Sequence, residues 1–187
     1  MLEEELAKTV QAIDPTLSYV CSYPGFLYVC RVERNGQPYI FKMFDSKAMP
    51  DCRDQLSVGR EHFDNERRAL ELLVNTHGIP QLNKIYTTNR FHVLLREFID
   101  GGECTQLGGA KAVVASRLTA LYSEMMHHGV ALMDTRHEDI IVASRNDPYI
   151  VDFGHSMFFS DLKTAKLRAS VRTSACSMLH KFLENLS

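Results

Sequence analysis

A glutamate on the apolar side of a predicted helix restricts the fold of this sequence more than any other feature. The stretch Ser57–Asn75 has the spacing of a long helix, and His77-Gly78-Ile79-Pro80 ends it. The residues that share a face with Glu66 are apolar: Phe63, Ala69, Leu70 and Leu73. A buried carboxylate is costly unless a cation from another element pairs with it. The helix can therefore pack only where such a cation is supplied.

Lys42 is the residue best suited to neutralise Glu66. It lies inside the apolar strand Tyr39–Phe44, which contains no acidic residue of its own. A pair between the two would hold this strand against the helix that follows it. The alternative is that Lys42 lies on a solvated face of the strand and that Glu66 reaches out to water.

The first hundred residues predict a five-stranded sheet with one helix inserted after the third strand. Asn35-Gly36 accepts the positive φ angles of a tight turn and separates two strand-like runs, so we expect a β-hairpin there. The runs with strand character begin at Leu17 and include Phe26–Glu33, Gln37–Phe44, Leu82–Thr87 and Phe91–Ile99. A helix over residues 2–13, stopped by Asp14-Pro15, precedes them as an accessory element.

The second half of the chain predicts a smaller, mainly helical region. Asp100-Gly101-Gly102 has the composition of a hinge, which divides the chain into an accessory helix (1–16), an N-terminal lobe (17–99) and a reduced C-terminal lobe (100–187). The elements expected after the hinge are helices at Lys111–His128 and Asp161–Leu186 and strands at Ile140–Ala143 and Tyr149–Val151. In the last helix the residues expected on the buried side are Leu162, Ala165, Ala169, Cys176, Leu179, Leu183 and Leu186.

The charge balance and the cysteines limit what the protein binds and where it works. The 21 Lys+Arg and 23 Asp+Glu residues nearly cancel, so no strong field is available to hold nucleic acid or an anionic membrane. The five cysteines show no CxxC spacing and favour a reducing compartment. The acidic start Met1–Leu6 is not typical of a signal peptide, and no run reaches the roughly 18 apolar residues of a membrane span. We therefore expect a soluble, intracellular protein. An effector that is delivered into a host cell without a recognisable signal would have the same sequence features.

Three aspartates in the second half suggest a metal site. Asp134 and Asp139 bracket a polar loop, and Asp152 follows the strand Tyr149–Val151 and precedes Phe153-Gly154. Mg²⁺ prefers carboxylate oxygens and usually keeps phosphates and water as its remaining ligands. The three acids are therefore candidates for a magnesium site. The alternative for Asp152 is an Asx-type turn after a strand.

Taken in order, these residues resemble the protein-kinase-like superfamily. The order is a lysine in the third strand, a glutamate in the following helix, an Asp-x4-Asp loop, two short strands and Asp-Phe-Gly. The resemblance covers about residues 17 to 160. It implies an α+β fold with two lobes, a five-stranded N-terminal sheet with one helix, and Mg-ATP bound near the hinge.

The resemblance also implies a role for each charged residue. Lys42 would hold the α and β phosphates of ATP, and Glu66 would position Lys42. Asp139 and Asp152 would bind Mg²⁺, and Asp134 would accept a proton from the acceptor hydroxyl or orient it. The positions whose backbone would meet adenine lie at the hinge and include Glu97 and Ile99.

The sequence departs from the usual kinase pattern in several places, one of which is Ile40, where a small alanine is usual beside adenine. No GxGxxG lies between the first two strands, where Cys21–Phe26 contains one glycine. Leu132-Met133-Asp134 lacks the usual histidine, and Asp139 stands where an asparagine is usual. The chain ends soon after Asp152 without an Ala-Pro-Glu motif. In these respects it is similar to the minimal, atypical branches, such as RIO-like or lipopolysaccharide-kinase-like proteins.

The sequence therefore predicts an ATP-dependent phosphotransferase that transfers the γ-phosphate of Mg-ATP to a hydroxyl group. The acceptor is either a protein or a small molecule. The alternative is a pseudokinase, a nucleotide-binding or scaffolding module without turnover. The missing glycine loop favours this alternative, and the intact set of charged residues favours the enzyme.

Overall fold

The computed structural model of the chain describes residues 3–23, 28–45, 59–104 and 110–186 and has an α+β fold, as predicted. The α-helices in these residues are α1 (Glu3–Ile13), α2 (Gly59–Leu72), α3 (Lys111–His127) and α4 (Ala165–Leu186). The strands are β1 (Ser18–Ser22), β2 (Val29–Arg34), β3 (Gln37–Asp45), β4 (Leu82–Thr87), β5 (Phe91–Glu97), β6 (Gly101–Glu103), β7 (Val130–Leu132), β8 (Ile140–Ala143), β9 (Asp147–Ile150) and β10 (Ser156–Phe158). Short 3₁₀ turns cover His137–Asp139, Ser144–Asn146 and Phe159–Asp161.

Some predicted segments lie outside the described residues. They are the start of the second strand at Phe26, the start of the long helix at Ser57, and the second half of Cys21–Phe26. The last of these contains the single glycine of the expected phosphate loop, so the prediction about that loop concerns residues beyond those described.

The chain folds into two compact units. Unit 1 comprises Met1–Arg67 and Gln81–Phe98, and unit 2 comprises Arg68–Pro80 and Ile99–Ser187. Helix α2 begins in unit 1, and its last residues belong to unit 2. The five-stranded sheet lies in unit 1, and two smaller sheets lie in unit 2.

Unit 1 is built on an antiparallel sheet with the strand order β1-β2-β3-β5-β4. The hairpin of β2 and β3 turns at Asn35-Gly36, where φ is 53° and 77°. An Asn-Gly pair adopts such angles readily, and the predicted hairpin is confirmed. Strand β3 pairs with β2 and β5, which places Lys42 opposite Val29 on one side and Leu94 on the other. Lys42 is therefore in the middle of the sheet.

The two faces of this sheet carry different helices. Helix α1 packs on one face around an apolar core that contains Leu6, Val10, Phe41, Met43, Val93 and Leu95. Lys42 and Phe44 lie on the opposite face, because side chains alternate along a strand. Phe63 of α2 packs edge-on against Phe44 there, with ring centroids 5.6 Å apart. The sheet thus separates the apolar core from the face that carries Lys42.

Unit 2 combines two small antiparallel sheets with α3 and α4. One sheet has the order β6-β8-β9, and the other pairs β7 with β10. Gly101 and Gly102, which the sequence predicts as part of a hinge, form β6 and pair with β8. A Cβ atom at Gly101 would lie 2.5 Å from the carbonyl oxygen of Val142, so glycine is required at this close approach. Gly101 and Gly102, predicted as hinge residues, are therefore part of a strand.

The buried side of α4 differs from the predicted stripe. The side chains that are buried are Val171, Ala175, Leu179, Phe182 and Leu186. The predicted residues Ala165, Ala169 and Cys176 are exposed instead. The first turns of α4 are exposed on all sides, so the apolar residues there do not mark a buried face.

Neither α4 nor any other helix in the described residues is long and apolar enough to cross a membrane.

Candidate functional site

The predicted pair between Lys42 and Glu66 is present in unit 1. Lys42 Nζ lies 2.6 Å from Glu66 Oε2. The two side chains are 5% and 0% exposed, so the alternative in which both reach water is wrong. Separating such a buried pair would leave dehydrated charges, which is strongly unfavourable. The ammonium group of Lys42 is therefore held in one place.

Arg96 is a third charged residue at this pair and was not anticipated from the sequence. Its Nη1 atom lies 3.4 Å from Glu66 Oε1, and its side chain is 6% exposed. Arg96 stands opposite Ile40 in the β3–β5 ladder and so projects from the same face as Lys42. Each oxygen of Glu66 is thus close to a cation. The signal in the sequence was a basic residue inside the apolar run Phe91–Ile99.

This arrangement is suited to binding an anionic group. Glu66 holds the Lys42 ammonium in place before any ligand arrives. A cation that is already ordered loses less side-chain entropy on binding a phosphate than a mobile surface lysine does. Phe44 flanks the cation, with its ring centroid 5.3 Å from Lys42 Nζ. Unit 1 therefore offers an ordered lysine that is paired with Glu66 and flanked by the Phe44 ring.

Asp134 lies in unit 2, in the loop between β7 and β8. Its side chain is 38% exposed, and its Oδ2 atom accepts a hydrogen bond of 3.0 Å from Nε of Arg136. Within the described residues, the hydrogen bond and ion pair of this carboxylate are both with Arg136. The Oδ1 atom can therefore accept a hydrogen bond from a ligand hydroxyl.

Asp139 and Asp152 lie on backbone segments that are hydrogen-bonded to each other. The N–H of Val151, directly before Asp152, donates to the carbonyl of Asp139 at 2.8 Å. Asp139 Oδ2 accepts the N–H of Arg136 at 3.1 Å, and Asp152 Oδ1 accepts the N–H of Gly154 at 2.9 Å. The latter bond forms the Asx-type turn that was the alternative for Asp152. It is compatible with a ligand role, because a carboxylate has about four lone-pair sites.

A second backbone bond joins the same two segments. The N–H of Met133 donates to the carbonyl of His155 at 3.1 Å, and β7 pairs with β10. Asp134, Asp139 and Asp152 therefore come from adjoining segments of unit 2. Across residues 3–23, 28–45, 59–104 and 110–186, however, no three His, Cys, Asp or Glu side chains form a group that could hold a metal ion. A metal bound at Asp139 and Asp152 would need further ligands, such as water or phosphate oxygens.

The predicted adenine-binding positions, Glu97 and Ile99, lie at and after the end of β5. The N–H of Glu97 donates to the carbonyl of Gln81 at 2.9 Å, and Glu97 Oε2 accepts the N–H of Gln81 at 3.1 Å. The Glu97 N–H is thus used inside unit 1, and an adenine contact there can use only its carbonyl oxygen. Ile99 is half-buried and lies outside the helices and strands.

Comparisons with known proteins add no relationship to this description. No protein-family model matches the chain, and no curated protein matches it significantly.

Proposed function

We propose that this protein is an ATP-dependent phosphotransferase with a two-lobed, protein-kinase-like fold of the minimal, atypical kind. The observation that carries the proposal is the buried ion pair of Lys42 with Glu66, at 2.6 Å. The pair joins the third strand of a five-stranded sheet to the helix that follows it. These are the elements to which the resemblance to the protein-kinase-like superfamily assigns phosphate binding.

Unit 1 supplies the phosphate-binding group in this proposal. Lys42 donates hydrogen bonds to the α and β phosphates, and Glu66 keeps the ammonium group in position. Arg96 neutralises the second oxygen of Glu66. The resemblance assigns the adenine contacts to the backbone at Glu97, in unit 1, and at Ile99, in unit 2.

Unit 2 supplies the groups for Mg²⁺ and for the acceptor. Mg²⁺ is usually held by one or two carboxylates, with phosphates and water as further ligands, so Asp139 and Asp152 fit this metal without a third protein ligand. Asp134 accepts the proton of the acceptor hydroxyl or orients it through Oδ1. When bound, ATP would supply the phosphoryl group, and Mg²⁺ would neutralise part of the negative charge on the phosphate oxygens during transfer.

A nucleotide-binding or scaffolding module without turnover is the second candidate function. The ion pair between Asp134 Oδ2 and Arg136 Nε favours it, because this oxygen of the carboxylate is already engaged by a cation of its own loop. The enzyme and a nucleotide-binding module both require nucleotide binding, whereas a scaffolding module does not. The first two differ from each other in whether phosphate is transferred.

Binding and transfer assays test the proposal. Calorimetric titration of ATP with and without Mg²⁺ measures binding, and radiolabelled γ-phosphate measures transfer to the protein itself and to protein or small-molecule acceptors. We expect magnesium-dependent binding followed by transfer. Binding without transfer to any acceptor would support a nucleotide-binding module, and no binding at millimolar Mg-ATP would contradict both the enzyme and that module.

A pair of lysine variants gives this experiment its control. Lys42→Met removes the proposed phosphate-binding cation, while Glu66 keeps its contact with Arg96. Lys8→Met removes a lysine whose side chain is 74% exposed on α1. Lys42→Met should abolish or strongly weaken ATP binding, and Lys8→Met should leave it unchanged.

A further inference from the structure

Tyr122 is a buried polar residue that neither the sequence nor the proposed function assigns to the site. It lies in α3 of unit 2, and 1% of its surface is exposed. Its hydroxyl group is hydrogen-bonded to Oγ1 of Thr135, the residue directly after Asp134. A buried hydroxyl without a partner would be destabilising, so this bond has a clear local energetic reason.

The hydroxyl of Tyr122 comes from a firmly packed helix. The buried residues of α3 are Val114, Leu118, Leu121, Tyr122 and Met125. They lie along one side of the helix, which packs against β7 and β9. Burial raises the pKa of Tyr122 well above its usual range, and the negative charges of Asp139 and Asp134 raise it further. The hydroxyl therefore remains protonated near neutral pH, and a protonated hydroxyl can hold Thr135.

Asp134 lies between two anchored neighbours. On one side, the N–H of Met133 is bonded to the carbonyl of His155 at 3.1 Å. On the other side, the Thr135 hydroxyl is bonded to Tyr122. With both neighbours fixed, the backbone of Asp134 has little freedom, and the position of its carboxylate is restricted. Loss of either anchor would let the carboxylate move.

We propose that Tyr122 is a positioning residue, which fixes the Asp134 carboxylate for the acceptor hydroxyl through its hydrogen bond to Thr135. This inference rests on the proposed phosphotransferase function. Phosphoryl transfer depends mainly on placing the reacting groups, and a displacement of about 1 Å can lower the rate about 100-fold. Tyr122 touches none of the reacting groups and acts only through the loop.

Hydroxyl-deleting variants test the proposal. Tyr122→Phe and Thr135→Val each remove one side of the bond, Thr135→Ser retains a hydroxyl, and Tyr149→Phe on β9 is the matched control. Tyr122→Phe and Thr135→Val should each lower kcat about 10–100-fold, with KM for ATP changed less than about twofold. Thr135→Ser and Tyr149→Phe should stay close to wild type. The double variant should be no slower than the slower single variant, because both changes break the same bond.

Amide hydrogen exchange supplies a readout that does not need activity. In Tyr122→Phe, exchange should become faster at Arg136 and Asp139, while the amides of α3 keep their protection. Faster exchange along the whole of α3 would show a merely structural role and overturn the proposal, as would unchanged exchange in the loop.

The two measurements separate failure of this inference from failure of the proposed function. A wild-type protein that binds Mg-ATP and transfers no phosphate overturns the phosphotransferase function and the positioning role with it. An active wild type whose kcat is unaffected by Tyr122→Phe overturns the positioning role alone.

Discussion

Glu66 is the carboxylate that lies beside two buried cations of the sheet in unit 1. Its two oxygens meet Lys42 at 2.6 Å and Arg96 at 3.4 Å, and none of its side chain is exposed. A buried ion pair adds little net stability by itself, because desolvation offsets the attraction. Removing a single partner is costly, however, and the cost depends on which charges remain.

Glu66→Leu should destabilise the protein more than Lys42→Met does. The first change leaves two buried cations without this carboxylate and should cost about 3–5 kcal/mol. The second leaves Glu66 beside Arg96 and should cost less. Urea denaturation of both variants measures the difference in the free energy of unfolding.

The double variant and a surface variant complete this test. Lys42→Met with Glu66→Leu should cost less than the sum of the two single changes. Lys8→Met, on the exposed side of α1, should change the free energy of unfolding by less than about 0.5 kcal/mol. Simple additivity, or equal costs for the two single variants, would contradict a carboxylate shared by Lys42 and Arg96.

Asp14 is a second buried carboxylate in unit 1 and connects the end of α1 to the sheet. It accepts hydrogen bonds from Thr16, from the Tyr86 hydroxyl at 2.5 Å and from Arg34 at 2.7 Å. Burial alone would raise the pKa of Asp14, but the hydrogen bonds from Thr16 and Tyr86 and the charge of Arg34 outweigh it. They hold the pKa of this carboxyl well below its usual range.

Unit 1 should therefore lose stability in acid through Asp14. Because the folded pKa is depressed, the stabilisation is complete above the pKa of an unfolded aspartate, about 4. It is lost as the pH falls from there towards the folded pKa. Asp14→Asn should lower the free energy of unfolding by about 1–3 kcal/mol at pH 7 and make its acid dependence shallower. Denaturation curves from pH 7 to pH 2 measure both effects, and parallel pH profiles would contradict the assignment.

Asp134 and Asp152 have different tasks in the proposed reaction, so their asparagine variants should differ. Asp152→Asn should weaken magnesium-dependent ATP binding and turnover together. Asp134→Asn should leave Mg-ATP affinity nearly unchanged and lower kcat by about 10²–10⁴. Calorimetry and initial rates on both variants measure this. An Asp134→Asn variant with full activity would show that its catalytic role is wrong.

Some of these residues could be predicted from the sequence, and others could not because their role depends on tertiary contacts. Lys42 and Glu66 were predictable, because each is a charge that interrupts an apolar pattern. Arg96 required knowledge of which strand pairs with β3. Tyr122 looks like an ordinary core residue of a helix, and only the tertiary structure brings its hydroxyl to Thr135.

Among the secondary-structure elements, α2 contributes an arginine, Arg68, that binds the segment before α4. Arg68 donates to both oxygens of Asp161, at 2.6 and 2.8 Å, and to the Ser160 hydroxyl at 2.7 Å. The Arg68 guanidinium also lies 4.0 Å from the ring centroid of Phe158. The hydrogen bonds from Arg68 hold the pKa of the Asp161 carboxyl below its usual range.

Activity should therefore not require phosphorylation of the segment between Asp152 and α4. Arg68 already binds the carboxylate of Asp161, so an added phosphate is not needed to order the segment. Phosphatase treatment of the purified protein should leave the transfer rate unchanged. A large fall in rate would show that a phosphorylated residue orders this segment instead.

The ion pair of Arg68 with Asp161 is partly exposed, so Asp161→Asn should lower the free energy of unfolding by no more than about 1 kcal/mol.

Elements with strong local signals were predictable, and elements with weak ones were not. The β2–β3 hairpin follows from Asn35-Gly36, whose backbone preferences need no tertiary contact. The prediction for the buried side of α4 was wrong at Ala169 and Cys176, which are exposed. Small residues occur on both the buried and the exposed side of this helix, so their positions in the sequence do not distinguish the two sides. The position of Gly101 in β6 depends on its contact with β8, which the sequence does not display.

For the whole molecule, the proposed function predicts stabilisation by nucleotide. At 100 times its Kd, Mg-ATP should stabilise the folded state by about 2.7 kcal/mol. This corresponds to a rise in Tm of roughly 5–10 °C for a chain of this size. Thermal melts with ATP alone, Mg²⁺ alone and both together measure the effect, and Lys42→Met serves as the control. An unchanged Tm at millimolar Mg-ATP would contradict nucleotide binding.

The complete burial of Glu66 also determines how α2 can move on the sheet of unit 1. A gradual rotation or sliding of the helix would draw Glu66 away from Lys42 and Arg96 before water could replace them. With about 3–5 kcal/mol needed to break such a buried pair, intermediate positions are sparsely populated, at about one part in 10²–10⁴. We therefore expect any movement of α2 on this sheet to be a step between a docked and a released state. A ligand or partner that acts on α2 would change the populations of these states and would not shift the helix by small degrees.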